Sequence, residues 1–269
     1  MKKKLREAKG CASIVEWGVI KFMKIIYILW LRQIKRYFRS KSRIIGSIAQ
    51  PLLFLVTFGF GFGPIYQRAG SGNYIEFLSP GIIAMAILFT SLFSGIEIIW
   101  DRQFGFLKEI LIAPVSRLKI MIGRTLGGAT VAIFQGIIVL LIAMIFGFRF
   151  NIGSLLVALL FMVLISLLFT ALGTAIASVL KDMQGFQLIM NFLVMPIFFL
   201  SGALFPLNGL PKGLYTVAIF DPLSYGIDGL RGALAGGNHF NMFLDFSVLA
   251  IITAILLVLG SYLFSKIEV

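Results

Sequence analysis

Long uninterrupted apolar runs recur along the chain, and each approaches the ~20 residues that a helix needs to cross a bilayer. Six spans are placed at 44–66, 77–100, 126–148, 154–180, 186–205 and 242–264. These runs are apolar on every face, whereas the strands of a transmembrane barrel would alternate apolar and polar positions. The pattern therefore predicts an all-α polytopic membrane protein. Pro51, Pro80 and Pro196 fall inside spans or near their starts, where neighbouring helices can satisfy the freed carbonyls. Gly59 with Gly63, and Gly123 with Gly127, have the small-xxx-small spacing that permits close helix approach.

Three stretches break this pattern. Over 17–38 the period is helical, with Lys21, Lys24, Arg32, Lys35 and Arg39 on one face and Ile20, Ile26, Leu29, Trp30 and Tyr37 elsewhere. A helix of that kind lies in the membrane interface with its cations among anionic headgroups, since spanning would bury two lysines near its middle. Residues 1–43 thus read as a basic arm with an interfacial helix, and 44–269 as one six-span permease domain. A secretory signal is excluded by Lys24 within the apolar part, by the positive charge after it and by the lack of a small-residue cleavage site.

The second stretch, 97–124, reads EIIWDRQFGFLKEILIAPVSRLKIMIGR. A helix over 101–113 places Phe104, Leu107 and Leu111 on one side, with Ile110 at the flank and Arg102, Lys108 and Glu109 largely elsewhere. Asp101 suits the N-terminus of such a helix and Pro114, after Ala113, ends it. Two readings stand here: a solvated loop resting its apolar face on lipid, or a surface on which a soluble partner pushes. The third stretch, 206–241, is too apolar for a free loop and too broken for a span. It predicts two short helices, 210–220 and 224–234, separated at Asp221-Pro222. A pair re-entering the outer leaflet and a cap over the helix ends both fit.

Charge orients the chain. Of 24 Lys and Arg, thirteen lie in 1–43, five in 102–124, and one each at Lys181 and Lys266. With the N-terminus in the cytoplasm only Arg68, Arg149, Lys212 and Arg231 fall outside, so both termini and 97–124 are expected inside. The net charge of +13 then faces the inner leaflet of the cell membrane and needs no nucleic-acid partner.

The residues available for chemistry are few. One cysteine, Cys11, forms no internal disulfide, and one histidine, His239, argues against metal catalysis. No glycine precedes a lysine, so there is no Walker A loop to hold nucleotide phosphates. Glu97, Asp182 and Asp245 sit at span ends rather than near the midplane, where an ion-coupled transporter keeps its acids. Glu97, near Arg102, either pairs with a cation across helix ends or reaches water. Gln135, Ser166, Thr170 and Asn191 lie deeper and suit bonds between helices. A secondary transporter, a channel and an intramembrane enzyme are the rival readings. A membrane domain with no such site and an inward-facing amphipathic helix needs a separate motor.

The run DRQFGFLKEILIAPVSRLKIMIGRTLGG from Asp101, with FFLSGALFPLNGLP from Phe198 and DPLSYGIDGLRG from Asp221, resembles the two signatures of type-2 ABC export permeases. The similarity is strongest to the daunorubicin-resistance and nodulation-factor permeases. It implies a homodimer, or a pair with a similar permease, bound to two ATP-binding-cassette subunits that hold ATP and magnesium, with no cofactor on this chain. It implies that the helix carrying Asp101, Arg102, Phe104, Gly105, Leu107, Lys108, Glu109, Ala113 and Pro114 is the cytoplasmic coupling helix. The family's outer re-entrant pair matches Asp221, Pro222, Tyr225 and Arg231. Export of an amphipathic, lipid-like or drug substrate is the implied activity. The second signature commonly begins with asparagine, where this chain has Asp221.

Overall fold

The computed structural model describes residues 23–68, 73–106, 116–150, 152–208 and 211–266. They are helical apart from short connections. In order the helices are α1 (residues 23–39), α2 (Lys41–Arg68), α3 (Tyr74–Phe93), α4 (Ile96–Gln103), α5 (Arg117–Ile145), α6 (Leu155–Val179), α7 (Met183–Leu200), α8 (Lys212–Phe220), α9 (Pro222–Ala235) and α10 (Met242–Ser265). Six stretches are long and apolar enough to cross a membrane: α2, α3 with α4, α5, α6 with its leading turn, α7 and α10.

The hub is α3. Its sequence is apolar all round, which suits only a helix enclosed by others, and it packs on α2, α5, α6 and α9. The most apolar window of α3–α4 is 72% buried, against 17% for α2 and α10 and 22% for α7. The three peripheral helices therefore present apolar sides outward. Asparagine or aspartate caps four starts by accepting a backbone N–H: Asn73 for α3, Asp182 for α7, Asp221 for α9 and Asn241 for α10.

Several boundaries differ from the sequence reading. The third span begins at Arg117 rather than near 126, because the basic residues before the apolar run continue one helix. The fifth ends at Leu200, where Ser201 caps it and Gly202 takes φ +75°. The second span bends at Ser94-Gly95, where no side chain on Gly95 keeps it from the backbone of Gly173 on α6. The 101–113 helix is not continuous: α4 ends at Gln103, Phe104 caps it, and Gly105 at φ +80° turns the chain. Asp101 consequently occupies the last turn of a helix instead of the first. Leu107, Lys108, Glu109, Ala113 and Pro114 lie outside the described residues, as do 17–22 of the expected interfacial helix.

Candidate functional site: an ion network at the foot of the second span

The end of the second span puts two carboxylates one turn apart. Glu97 and Asp101, four residues apart on α4, share a helix face and are 4% and 2% exposed. Buried carboxylates need partners, and four arginines from three elements supply them. Glu97 accepts from Arg43 of α2 at 2.7 Å and from Arg36 of α1 at 3.4 Å. Asp101 accepts from Arg32 of α1 at 2.9 Å through one oxygen, and from Arg124 of α5 through the other. Arg36 also lies 3.5 Å from Asp101 and over the Trp100 ring.

Of the cations on the polar face of α1, Arg32 pairs with Asp101 of α4, as does Arg36 beside it, while Lys24, Lys35 and Arg39 are exposed. The Trp30 indole donates to Thr130 at 3.0 Å, and the Tyr37 hydroxyl donates to Gln135 at 2.8 Å. Gly123 and Gly127 make the approach possible. A Cβ on Gly127 would meet Gln33 at 2.6 Å, and one on Gly123 would meet Leu29 at 2.9 Å. The small-residue pair on α5 thus seats α1 and not another span. In the other pair a Cβ on Gly59 would meet Ile75 of α3 at 3.4 Å, an ordinary contact, and nothing lies within 4 Å of one on Gly63.

Arg102 does not meet Glu97. It donates to the carbonyls of Ser178 and Leu180 at 3.1 and 3.0 Å, so it caps the end of α6. Phe104 and Phe106, beyond the network, are 71% and 50% exposed. Behind it lies a cleft of about 440 Å³ whose lining includes Tyr37, Arg43, Gln50, Phe89, Asn191 and Met195. Of the four polar residues expected to bond between helices, Gln135 does so. Ser166 bonds within its own helix and Thr170 has no partner among the described residues, while Asn191 faces the cleft.

At the other end, Asp221 and Pro222 start α9, with Asp221 Oδ1 accepting from Leu223 N–H at 2.9 Å. Burial raises the Asp221 carboxyl to about 7, against the lowering effect of that bond. The Tyr225 hydroxyl donates to the Ile219 carbonyl of α8 at 2.9 Å. Arg231 donates to the Gly202 carbonyl at 3.0 Å and covers the Phe77 ring at 4.0 Å. His239 meets the Tyr215 hydroxyl at 3.3 Å. Asp228 and Asp245 are both buried. Asp228 ties down the loop by accepting from His239 and Phe240 N–H, and Asp245 lies against it.

A bundle of six helices long and apolar enough to cross a membrane, with buried ion pairs at the foot of the second, defines a polytopic helical membrane protein. The match of residues 25–235 to the model of the ABC-2 type transporter places this chain in that family. It is 32% identical to the transport permease ycf38 of Pyropia yezoensis over 77% of this chain and 72% of the relative. Nodulation protein J of Rhizobium leguminosarum bv. viciae is 27% identical over 84% of this chain and 85% of its own length. The doxorubicin resistance ABC transporter permease protein DrrC of Mycobacterium tuberculosis is 28% identical, covering 77% and 75%. The family implies an ABC ATPase partner, and the chain is a multi-pass membrane protein.

Proposed function

We propose that this chain is the permease of an ATP-driven exporter in the cytoplasmic membrane, working as a homodimer on two ATPase subunits. ATP and magnesium belong to the ATPases. The observation that carries this reading is the position of the ion network. Phe104 caps α4 within a turn of Asp101, and the carboxylates of Glu97 and Asp101 are bound to α1, α2 and α5. A push there moves three elements together. Phe104 and Phe106, large, apolar and exposed at the end of a span, suit burial against a protein partner. Lys108 and Glu109 would meet the same partner from the cytoplasm.

The cargo is an amphipathic molecule, lipid-like or drug-like. The cleft beside Arg43 supports this, with Gln50 and Asn191 as polar contacts and Phe89 and Met195 as apolar wall. The doxorubicin resistance in the name of a relative agrees with it. The pair α8–α9 re-enters the outer leaflet and lines the exit. Extraction in mild detergent should recover a stoichiometric ATPase, and export from proteoliposomes should need ATP; flux without an ATPase would overturn the proposal. Phe104→Gln or Glu109→Lys should abolish export while the permease remains folded and ATP hydrolysis continues. Labelling of Lys108 from outside intact cells would overturn the orientation.

A further inference from the structure

A groove of about 460 Å³ separates α5 from α10 at the same end of the bundle as the ion network. Leu118 and Ile122 form one wall, and Val258 and Tyr262 the other. Met121, 3% exposed, closes the floor, where the lack of a side chain on Gly260 lets α10 come against it. The groove opens sideways: Leu118 is 49% exposed, Tyr262 56% and Val258 70%. Its stretch of α10, from Leu257 to Ser265, rises about 12 Å at ~1.5 Å per residue. One leaflet of a ~30 Å hydrocarbon core is about 15 Å deep, so the groove has the length of an acyl chain's path through most of one leaflet.

Among the described residues, the two charged groups at its mouth are cations. Arg117 donates to the Ser265 carbonyl, and the Lys266 ammonium lies 4.5 Å above the Tyr262 ring. None of the described lining residues is acidic. An apolar slot of leaflet depth beneath two cations is complementary to one kind of occupant. We infer that this groove is a binding site for an anionic phospholipid, with one acyl chain between α5 and α10 and the phosphate held by Lys266. Basic pockets between helices near the membrane surface favour anionic headgroups through the same attraction. The inference does not depend on the transport reading, because the groove shares no lining residue with the cleft at Arg43.

The test uses the full-length permease, delipidated in detergent and titrated with dioleoyl phosphatidylglycerol or dioleoyl phosphatidylcholine, with bound lipid counted by native mass spectrometry. One phosphatidylglycerol per chain should be retained in preference to phosphatidylcholine. Lys266→Gln should weaken the preference about fivefold, the effect of one basic residue near a charged surface. Ser261→Phe, which fills the groove midway, should release both lipids while helical content and thermal midpoint stay unchanged. Equal retention of the two lipids would overturn the headgroup assignment. Retention of phosphatidylglycerol by Ser261→Phe, or dissociation of a dimer by that substitution, would overturn the site.

Discussion

A guanidinium at an apolar helix interface has five N–H groups to satisfy, and Arg124, 3% exposed on α5, reaches one carboxylate. Its Nε and Nη1 atoms have no partner among the described residues, so Asp101 carries the whole compensation. Removing one member of a buried pair costs more than removing both, because the survivor stays charged in a dry site. Asp101→Leu should therefore destabilise the permease by about 3–5 kcal/mol. Adding Arg124→Met should recover most of that loss, since Arg32 and Arg36, the other partners of Asp101, are 37% and 32% exposed and can turn to water. Denaturant unfolding in detergent measures both. Asp221 sets a second residue-scale case, because burial holds its carboxyl near pH 7 instead of the ordinary 3.8. Between those values the folded protein binds a proton that the unfolded chain releases, so stability falls as pH rises through the interval and the full penalty stands above it. Asp221→Asn keeps the acceptor for Leu223 and removes the charge. It should raise the thermal midpoint by several degrees at pH 8, leave it nearly unchanged near pH 4, and flatten the slope between.

At the level of elements, α1 is held by contacts that apolar patterning could not announce. The six spans were legible because length and uniform apolarity are properties of each segment alone. The α8–α9 break was legible because proline acts on its immediate neighbours, and Pro222 indeed starts α9. Periodicity also placed Arg32 on the polar face of α1. It could not say that the face meets Asp101 across 69 residues of sequence, since a helical wheel names a side and not a partner. The same blindness joined 101–113 into one helix: apolar spacing continues through Gly105, while the positive φ that stops α4 belongs to the backbone. A pair of glycines facing Leu29 and Gln33 makes the docking of α1 testable. Gly127→Leu needs space that the Gln33 side chain and the Trp30 carbonyl already fill, so α1 should lift from α5. Limited trypsin digestion at Lys35 and Arg36 should then accelerate about tenfold or more, as expected if local opening is eased by over ~1.4 kcal/mol. Circular dichroism should show the spans intact, because among the described residues the nearest neighbours of this face of α5 lie on α1.

Across the whole molecule, α3 and α4 form a bent rod with fixtures at both ends. Near its start, Phe77 lies under the Arg231 guanidinium of α9. At its foot, Glu97 and Asp101 gather α1, α2 and α5. In the proposed transporter a displacement entering below Phe104 would pass to the first and third spans through charge and to α9 through the packed rod. Stability and transmission can be separated in this network. Arg36→Gln with Arg43→Gln strands Glu97 as a buried anion, so a loss of export in that variant would report only damage to the fold. Adding Glu97→Gln removes the stranded charge and should restore the unfolding midpoint to near the parent value. The neutral triple variant then has a sound permease whose second span no longer grips α2 by charge and holds α1 by charge only through Arg32 and Asp101. In the assembled transporter it should hydrolyse ATP at close to the parent rate and export at a small fraction of it. Recovery of export together with stability would mean that the arginines only neutralise a buried acid, and that motion reaches the spans by packing alone.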